Sequence, residues 1–270
     1  MTTVRTIAAL REALAAARTG RTLGLVPTMG ALHGGHEALI RRARAECDVI
    51  VASIFVNPAQ FGLGEDLETY PRDERGDIRA AEAWAVDHLF IPSVEEMYPD
   101  GFQTWVEVEG VAAGLEGAAR PGHFRGVATI CLKLFNIVRP QRAYFGQKDA
   151  QQAALVRQMA RDLDLDVDIR LVATARDDDG LALSSRNAHL SAGEREAARA
   201  LPRALEAGAA AHRAGGDAEA AARAALAKEP RLAPDYVEVT RLNGRVYLLA
   251  AVRAGRTRLI DNVVLEGVVE

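Results

Sequence analysis

Cysteine is scarce in this sequence. The two that are present, Cys47 and Cys131, lie far apart in apolar segments with helical spacing. Neither has a second cysteine nearby, so we expect neither a disulfide framework nor a zinc site built on cysteine. We expect both side chains to act as small buried hydrophobic groups, as is usual in a reducing compartment.

Long hydrophobic runs are absent too. No apolar stretch approaches the ~18 residues that a membrane-spanning helix needs, and the first ten residues contain Arg5 and lack the hydrophobic core of a signal peptide. Charge of one sign is not in excess, because 33 Lys and Arg against 37 Asp and Glu leave a net charge of −4. That balance gives no basic footprint for a nucleic-acid backbone. We therefore predict a cytoplasmic protein with neither a membrane nor a nucleic-acid partner.

The sequence also lacks the common motifs that bind phosphate or carry out hydrolysis. It contains no Gly-Lys-Ser/Thr P-loop and no Gly-x-Ser-x-Gly elbow. A dinucleotide fingerprint would need a third glycine after Gly62 and Gly64, where Leu67 stands instead. His36-Glu37 has no second histidine to complete a zinc-protease pattern.

The composition that remains is that of a folded protein, with 49% hydrophobic and 26% charged residues among 270. Disorder, collagen and coiled coil are excluded. Short runs rich in Val, Ile and Phe alternate with longer segments of helical period, which predicts an α/β fold with a Rossmann-like parallel sheet and helices on both faces. The predicted strands are residues 23–26, 49–56, 86–91, 143–145 and 167–172, and the predicted helices are about residues 36–46, 72–84, 127–138 and 150–163.

The pattern changes after about residue 175. Ser191 and Glu194 form a capping box that opens an Ala-rich helical stretch to about residue 213, and a second helix is predicted over 217–228. Strands are predicted over 236–242, 246–252 and 257–264, with turns at Asn243-Gly244 and Ala254-Gly255. We therefore predict two domains, residues 1–174 and a smaller α+β domain of residues 175–270.

The most informative segment lies directly between the first predicted strand and the first predicted helix, and reads Val26-Pro27-Thr28-Met29-Gly30-Ala31-Leu32-His33-Gly34-Gly35-His36. In a parallel sheet, ligands bind outside the carboxyl ends of the strands. Three glycines allow the backbone to approach a ligand closely, and His33 and His36 can point N–H donors to one side of a helix start. A single histidine there would be better explained as a helix cap, but the pair favours an anion site.

Three further polar clusters follow predicted strands or the domain junction. Phe145-Gly146-Gln147-Lys148-Asp149 brings a lysine to the rim of the sheet, although Asp149 alone is equally well explained as a helix cap. Leu183-Ser184-Ser185-Arg186-Asn187 combines two hydroxyls with a guanidinium, which suit phosphate oxygens. Asn57 and Gln60 offer neutral amides for a small polar substrate. Because such donors can stabilise a nucleoside triphosphate attacked at phosphorus, the residues alone predict nucleotidyl transfer.

These residues resemble known signatures. The segment His33 to His36 resembles the HxGH signature of the nucleotidylyltransferase superfamily, and Leu183 to Arg186 resembles the loop that reads Lys-Met-Ser-Lys-Ser in class I aminoacyl-tRNA synthetases. Six ordered motifs between about residues 22 and 190 resemble the pantothenate synthetase family. They are Pro27-Thr28-Met29-Gly30, Phe55-Val56-Asn57-Pro58 with Gln60-Phe61-Gly62, Tyr70-Pro71-Arg72, Gly122-His123-Phe124-Arg125-Gly126-Val127, Phe145-Gly146-Gln147-Lys148-Asp149 with Gln151-Gln152, and Leu183-Ser184-Ser185-Arg186-Asn187.

The resemblance implies ATP-dependent condensation of (R)-pantoate with β-alanine to pantothenate, AMP and pyrophosphate through a pantoyl-adenylate. It implies that His36 is the proton donor, that Gln60 and Gln152 hold pantoate, and that β-alanine lies beside Gln60. On physical grounds we expect the catalytic residues His36 and His33 to donate hydrogen bonds to phosphate oxygens as charge builds, and Lys148 to neutralise that charge. The residues that it implies for ATP are Met29, Gly30, Ala31, Leu32, His33, Gly34, Gly35, His36, Gly146, Gln147, Lys148, Asp149, Ala175, Leu183, Ser184, Ser185 and Arg186.

The resemblance also implies a homodimer formed through the first domain. Mg²⁺ is expected on the ATP phosphates, but no cluster of carboxylates marks its ligands, and Asp77 is the one candidate that we consider. Because a mixed anhydride must be kept from water, we expect the second domain to close over the site as a lid, with a hinge near residues 174–180.

Three alternatives stay open at this level. The first is another adenylyl or cytidylyl transferase with the same first motif, although the Asn57 to Gly62 loop and Gln152 argue against it. The second is a nucleotide-sensing module that binds ATP without turnover. The third, a fragment of a tRNA synthetase, is disfavoured by the acidic balance of charges.

Overall fold

A computed structural model provides the structure, and it describes residues 1–267. The chain divides into two compact units. The first contains Met1–Phe145 and Gln151–Val172, and the second contains Gly146–Ala150 together with the described residues from Ala173 onward. The sequence-based boundary at 174/175 left residues 146–150 in the first domain, whereas the structure groups them with the second unit.

The first unit is built on a six-stranded sheet whose strand order is β1-β4-β3-β2-β5-β6. Pairing is parallel between β1 and β4, β3 and β4, β2 and β3, and β2 and β5. All six residues of β3 are buried, as expected for a central strand that is covered on both faces. The strands are β1 Thr2–Val4, β2 Leu23–Thr28, β3 Val49–Ile54, β4 His88–Phe90, β5 Arg142–Gly146 and β6 Asp168–Val172.

Helices cover both faces of this sheet. The helices with bounds in this part of the chain are α1 Ile7–Ala17, α2 Gly34–Glu46, α3 Glu74–Ala83, α4 Val94–Met97, α5 Leu115–Ala119, α6 His123–Val138 and α7 Ala150–Asp162. Val49 and Val51 of β3 belong to one hydrophobic core with residues of α1, α6 and α7, while Ile50 and Ala52 belong to another with residues of α2 and α3. This alternation confirms the predicted parallel α/β architecture. No helix within residues 1–267 is both long enough and apolar enough to cross a membrane.

The second unit packs three helices with an antiparallel sheet of order β7-β8-β9. Its helices are α8 Ala192–Ala198, α9 Ala200–Arg213 and α10 Ala218–Leu226, and its strands are β7 Leu232–Leu242, β8 Arg245–Ala254 and β9 Thr257–Glu266. Helix and sheet approach closely at Gly208 of α9, where an added Cβ would lie 2.3 Å from the Leu248 side chain. The smaller α+β fold predicted for this region is therefore confirmed.

Several predicted elements differ in detail. The predicted helix to residue 213 is two helices, α8 and α9, separated at Arg199. Helix α6 begins at His123, four residues before the predicted start, because Gly122 adopts the left-handed conformation that begins the turn. The predicted turn at Asn243-Gly244 is confirmed, since both residues have positive φ, as a two-residue hairpin loop of type I′ requires.

Candidate active site

Two histidines form the first turn of α2. His33 is the N-cap, with extended backbone, and its Nδ1 accepts the backbone N–H of Gly35 at 3.1 Å. The Nδ1 of His36 accepts the backbone N–H of His33 at 3.2 Å. These bonds form a capping box in which imidazoles replace the usual hydroxyl and carboxylate. The two ring centroids are 4.2 Å apart, so both rings lie together at the helix start.

The capping bonds determine the tautomer of each ring. A ring nitrogen that accepts a hydrogen bond carries no proton, so the neutral forms of His33 and His36 hold their proton on Nε2. Each ring therefore has an Nε2–H donor at the N-terminus of α2, where the helix dipole favours an anion. Capping the helix and binding an anion are thus compatible, because the cap itself sets the donor.

A buried carboxylate holds the backbone that leads to these histidines. Asp77, on α3 and only 4% exposed, accepts the N–H of Ala31 at 2.9 Å and that of Leu32 at 2.7 Å, one on each oxygen. Gly30 has a φ of 81°, and an added Cβ would lie 2.7 Å from Asp77 Oδ2, so this position requires glycine. Burial raises the pKa of Asp77, while the two N–H donors counteract that effect. Asp77 therefore serves the loop backbone with both oxygens, and its role as the Mg²⁺ ligand considered from sequence stays a prediction.

Gln60 ends the 3-10 turn Pro58–Gln60, which follows β3, and a series of hydrogen bonds orients its carboxamide. The Tyr98 hydroxyl donates to Asn57 Oδ1 at 2.9 Å, so Asn57 Nδ2 is the atom that donates to Gln60 Oε1, at 3.1 Å. Gln60 Nε2 then lies 2.8 Å from the sulfur of Met29. The loops that follow β2 and β3 therefore meet through Met29 and Gln60.

The backbone carbonyl of Gln60 is held as well. It lies 2.8 Å from Nδ1 of His123 and 3.4 Å from Nη2 of Arg120. Arg120 Nη1 lies 3.0 Å from His123 Nε2, and the same guanidinium binds both carboxylate oxygens of Glu65 at 2.9 and 2.6 Å. His123 is 6% exposed, and burial, followed by the charge of Arg120, lowers the pKa of its imidazole to about 4.

Two adjacent glutamines of α7 have different environments. Gln151 is 2% exposed, its Oε1 accepts the N–H of Glu116 at 3.0 Å, and its Nε2 donates to the carbonyl of Val111 at 3.0 Å. Gln152, the residue predicted to hold pantoate, is half-buried on the same helix. Gln151 thus ties α7 to the chain before it, and Gln152 is the more accessible of the two.

The second unit contains the turn that carries Lys148. Asn262 of β9 binds this turn with its whole carboxamide: Nδ2 donates to the carbonyls of Gln147 at 2.8 Å and Lys148 at 2.9 Å, and Oδ1 accepts from Gln147 Nε2 at 3.2 Å. The Lys148 ammonium lies 3.6 Å from the carboxylate of Asp149. These bonds explain why residues 146–150 group with the second unit.

The remaining predicted residues are adjacent within the second unit. The N–H of Leu183 donates to the carbonyl of Ala175 at 2.9 Å, so these two residues lie side by side although a loop separates them in the sequence. Ser184 caps the following 3-10 turn, Ser185–His189, by accepting the N–H of Arg186 at 3.3 Å. The predicted residues are therefore divided between the two units. The first-unit group is Met29 to His36, Gln60 and Gln152, and the second-unit group is Gly146 to Asp149, Ala175 and Leu183 to Arg186.

A parallel sheet whose β2–α2 loop carries paired histidine donors, accompanied by a small α+β unit, defines a Rossmann-like α/β enzyme. The family model described as pantoate-beta-alanine ligase matches residues 2–264, and the chain belongs to that family. It is accordingly a ligase that forms the amide bond between pantoate and β-alanine.

Several relatives match this chain over nearly its whole length. The pantothenate synthetase of Roseiflexus castenholzii is 53% identical over 279 residues, which cover 98% of this chain and 100% of the relative, and that of Moorella thermoacetica is 51% identical over 98% of this chain and 99% of the relative. The crystal structure of pantothenate synthetase from Thermus thermophilus has a TM-score of 0.95 at 47% identity, over 99% of this chain and all of that one. That of pantoate-beta-alanine ligase from Francisella tularensis, complexed with beta-gamma ATP and beta-alanine, has a TM-score of 0.85 at 35% identity over the full length of both chains.

Proposed function

We propose that the protein joins (R)-pantoate to β-alanine in two steps and consumes ATP. In the first, a carboxylate oxygen of pantoate attacks the α-phosphorus of ATP, the bond to the β-phosphate oxygen breaks, and pyrophosphate leaves. In the second, the amine of β-alanine attacks the acyl carbon of the pantoyl-adenylate, AMP leaves with the bridging oxygen, and the nitrogen loses a proton. The products are pantothenate, AMP and pyrophosphate.

The observation that carries this proposal is the pair of oriented imidazoles at the start of α2. A carboxylate that attacks an anionic phosphate brings like charges together, so the reaction needs donors that act as charge develops. We assign His36 and His33 to donate Nε2–H bonds to phosphate oxygens, and Lys148 to neutralise the increasing charge. The capping bonds support this assignment, because a donor held in advance costs no reorganisation during the reaction.

We assign ATP to the residues expected from the resemblance: Met29 to His36, Gly146 to Asp149, Ala175 and Leu183 to Arg186. Serine hydroxyls and an arginine suit phosphate oxygens in the last of these segments. The left-handed Gly30 and the N–H groups fixed by Asp77 give the first segment a defined backbone for close approach.

We assign pantoate to Gln60 and Gln152, and β-alanine to the neighbourhood of Gln60. Because Asn57 donates to Gln60 Oε1, the Gln60 amide has Nε2–H as the group for a substrate oxygen. A neutral amide can orient a carboxylate or hydroxyl without adding negative charge beside the phosphates. Holding the substrate in an orientation suited to attack lowers the entropic part of the barrier.

We treat Mg²⁺ as a companion of ATP and not as a resident metal. Within residues 1–267 no group of three or more His, Cys, Asp or Glu is placed to hold a metal ion. Mg²⁺ commonly binds through substrate phosphates and water with few protein ligands, and it would enter on the nucleotide. The chemistry that it supplies when bound is charge neutralisation on those phosphates.

We further propose a cytoplasmic homodimer, on the strength of family membership. Sedimentation at several protein concentrations, with and without substrates, measures the oligomeric state directly, and a mass of one chain throughout would refute it. Fractionation of the source cells with antibody detection tests the location.

The function itself is tested by pantoate-dependent exchange of labelled pyrophosphate into ATP, with magnesium and without β-alanine. We expect exchange that requires pantoate, followed by AMP and pantothenate when β-alanine is added. Exchange supported by another acid, and not by pantoate, would indicate a different adenylyl transferase. ATP binding without exchange for any acid would indicate a sensing module.

A further inference from the structure

His123 lies outside the set of residues assigned above, yet it contacts that set directly. It is the first residue of α6, it is 6% exposed, and its imidazole lies between the Gln60 carbonyl and the Arg120 guanidinium. The helix also presses on the Pro58–Gln60 turn one turn further along, since a Cβ on Gly126 would lie 2.2 Å from the Ala59 carbonyl oxygen.

The neighbours of His123 fix its proton. A guanidinium only donates hydrogen bonds, so the 3.0 Å contact with Arg120 Nη1 requires Nε2 of His123 to accept. The ring proton is then on Nδ1, which donates to the Gln60 carbonyl at 2.8 Å. Arg120 cannot turn away easily, because Glu65 binds its guanidinium with both carboxylate oxygens.

The same neighbours disfavour a charged ring. A proton on Nε2 would face the N–H groups of Arg120, whereas Glu65 and Glu116 are the carboxylates that favour the charge. Burial and Arg120 outweigh those carboxylates and lower the pKa of His123 to about 4. At neutral pH the imidazole is therefore neutral and is unsuited to exchange protons with a substrate.

We propose that His123 is a positioning residue, whose neutral Nδ1–H holds the Gln60 carbonyl and so sets the pose of the Gln60 carboxamide toward pantoate and β-alanine. The inference rests on the proposed role of Gln60. Gln60 is thus fixed from two directions, by His123 at its backbone and by Asn57 at its side chain. Arg120 and Glu65 act one step further away by selecting the tautomer of His123.

Substitutions at position 123 can separate the two ring nitrogens. In H123N the amide nitrogen occupies a place equivalent to Nδ1 and can still donate to the Gln60 carbonyl. In H123Q the amide reaches only the place of Nε2, so it can satisfy Arg120 but not Gln60. We expect H123N to keep the KM for pantoate within about twofold, and H123Q and H123A to raise it about five- to tenfold, the loss of one hydrogen bond, with the KM for ATP unchanged.

The control for general destabilisation is T129V, on the same helix. Thr129 Oγ1 accepts the N–H of Val106 at 3.0 Å and donates to the Arg125 carbonyl at 2.7 Å, and neither bond involves the Pro58–Gln60 turn, so T129V should lower the melting temperature without raising the KM for pantoate. A KM that rises equally for pantoate and ATP in H123Q, or that follows the melting temperature across all four variants, would overturn the proposal.

A measurement on the unaltered enzyme avoids any failure of a variant to fold. Nitrogen-15 NMR of labelled histidine should show one imidazole that stays neutral with its proton on Nδ1 between pH 5.5 and 8. A proton on Nε2, or titration of this ring near pH 6.5, would overturn the proposal. The role of Gln60 is tested separately by Q60A: an unchanged KM for pantoate in Q60A refutes that assignment, whatever the ring of His123 does.

Discussion

The carboxylate of Asp77, in the first turn of α3, accepts the backbone N–H of Leu32 at 2.7 Å across 45 residues of sequence. Its other oxygen accepts the N–H of Ala31 at 2.9 Å. The histidine pair of α2 therefore begins from a backbone whose geometry is imposed by a different helix. Met29 to His36, the nucleotide loop, are assigned to ATP. Because Asp77 holds the backbone of this loop, it couples the stability of the fold to the shape of the loop.

Replacing Asp77 by asparagine should weaken this coupling. Asn has one carbonyl oxygen, so either Ala31 or Leu32 would lose its acceptor and its N–H would face the new amide donor. A buried unsatisfied donor costs ~1–3 kcal/mol, part in folding and part in the loop conformation. We expect the KM for ATP in pyrophosphate exchange to rise about tenfold in D77N, with a smaller change in the KM for pantoate.

Asp73 offers a matched control on the same helix. It is the N-cap of α3, its Oδ1 accepts the N–H of Gly76 at 2.9 Å, and it makes no described contact with the nucleotide loop. D73A removes this cap, so it should lower the free energy of unfolding by about 1 kcal/mol and leave the KM for ATP unchanged. If D73A raises the KM for ATP as much as D77N does, the rise in D77N reflects general destabilisation of α3 and the coupling is refuted.

The two roles of His36 can be separated by the choice of substitution. In H36N the side-chain oxygen can replace Nδ1 as the acceptor for the His33 N–H, but the Nε2–H donor is lost. H36A loses both. We expect both variants to slow adenylation by ~10²–10³, as for a removed transition-state donor, equivalent to roughly 3–4 kcal/mol.

Stability should distinguish the two variants, because only H36A loses the cap. Chemical denaturation should show H36A less stable than H36N by about 1 kcal/mol. Single-turnover adenylation is the measurement for the rate. A loss below tenfold in H36N would mean that the histidine acts as a helix cap alone.

The sheet and most of its helices could be predicted because their patterns are local. The buried runs of β2 and β3 are continuous and apolar, and the capping box of Ser191 and Glu194 marks the start of α8 in the structure. The short strand Thr2–Val4 and the helix Ile7–Ala17 were missed. The strand has three residues and depends on pairing with β4, so its conformation is set by tertiary contact.

The site was harder to predict, since its supports come from distant parts of the sequence. The histidine motif was visible, but its anchor Asp77 was considered from sequence only as a candidate Mg²⁺ ligand, whereas in the structure Asp77 and Ala81 are the buried residues of α3. The sequence did contain a signal for the burial of Asp77, because Asp77 lies four positions before Ala81 and therefore on the same face of the helix. Asn262 could have been found in the same way, because it and Asp261 are the two polar residues within the otherwise apolar run of residues 259–265 in β9.

The adjacent glutamines of α7 should respond oppositely to truncation. Q152A should raise the KM for pantoate more than the KM for ATP, because we assign Gln152 to the acid. Q151A should instead lower the free energy of unfolding by ~1–3 kcal/mol, because it leaves the buried N–H of Glu116 without its acceptor. Initial rates over a grid of pantoate and ATP concentrations, together with denaturation of both variants, provide the comparison. Equal effects of Q152A on both substrates would show that the pantoate pocket is misassigned.

The buried imidazole of His123 should also make the fold sensitive to acid. Its pKa in the folded protein is about 4 against an ordinary 6.5, so between these values the unfolded chain binds the proton that the folded chain refuses. The contribution of the neutral ring to the free energy of unfolding is therefore fully present above pH 6.5. Roughly 3 kcal/mol of it is lost as the pH falls to about 4, at about 1.4 kcal/mol for each pH unit.

H123N has no imidazole, so its free energy of unfolding, measured by urea denaturation from pH 7 to 4, should fall by roughly 3 kcal/mol less than that of the unaltered protein. Carboxylates such as Glu65 and Glu116 titrate in both proteins, so the difference between the two curves isolates the ring. Parallel curves would mean that His123 takes up its proton as readily in the folded protein as in the unfolded chain, so that folding does not lower its pKa.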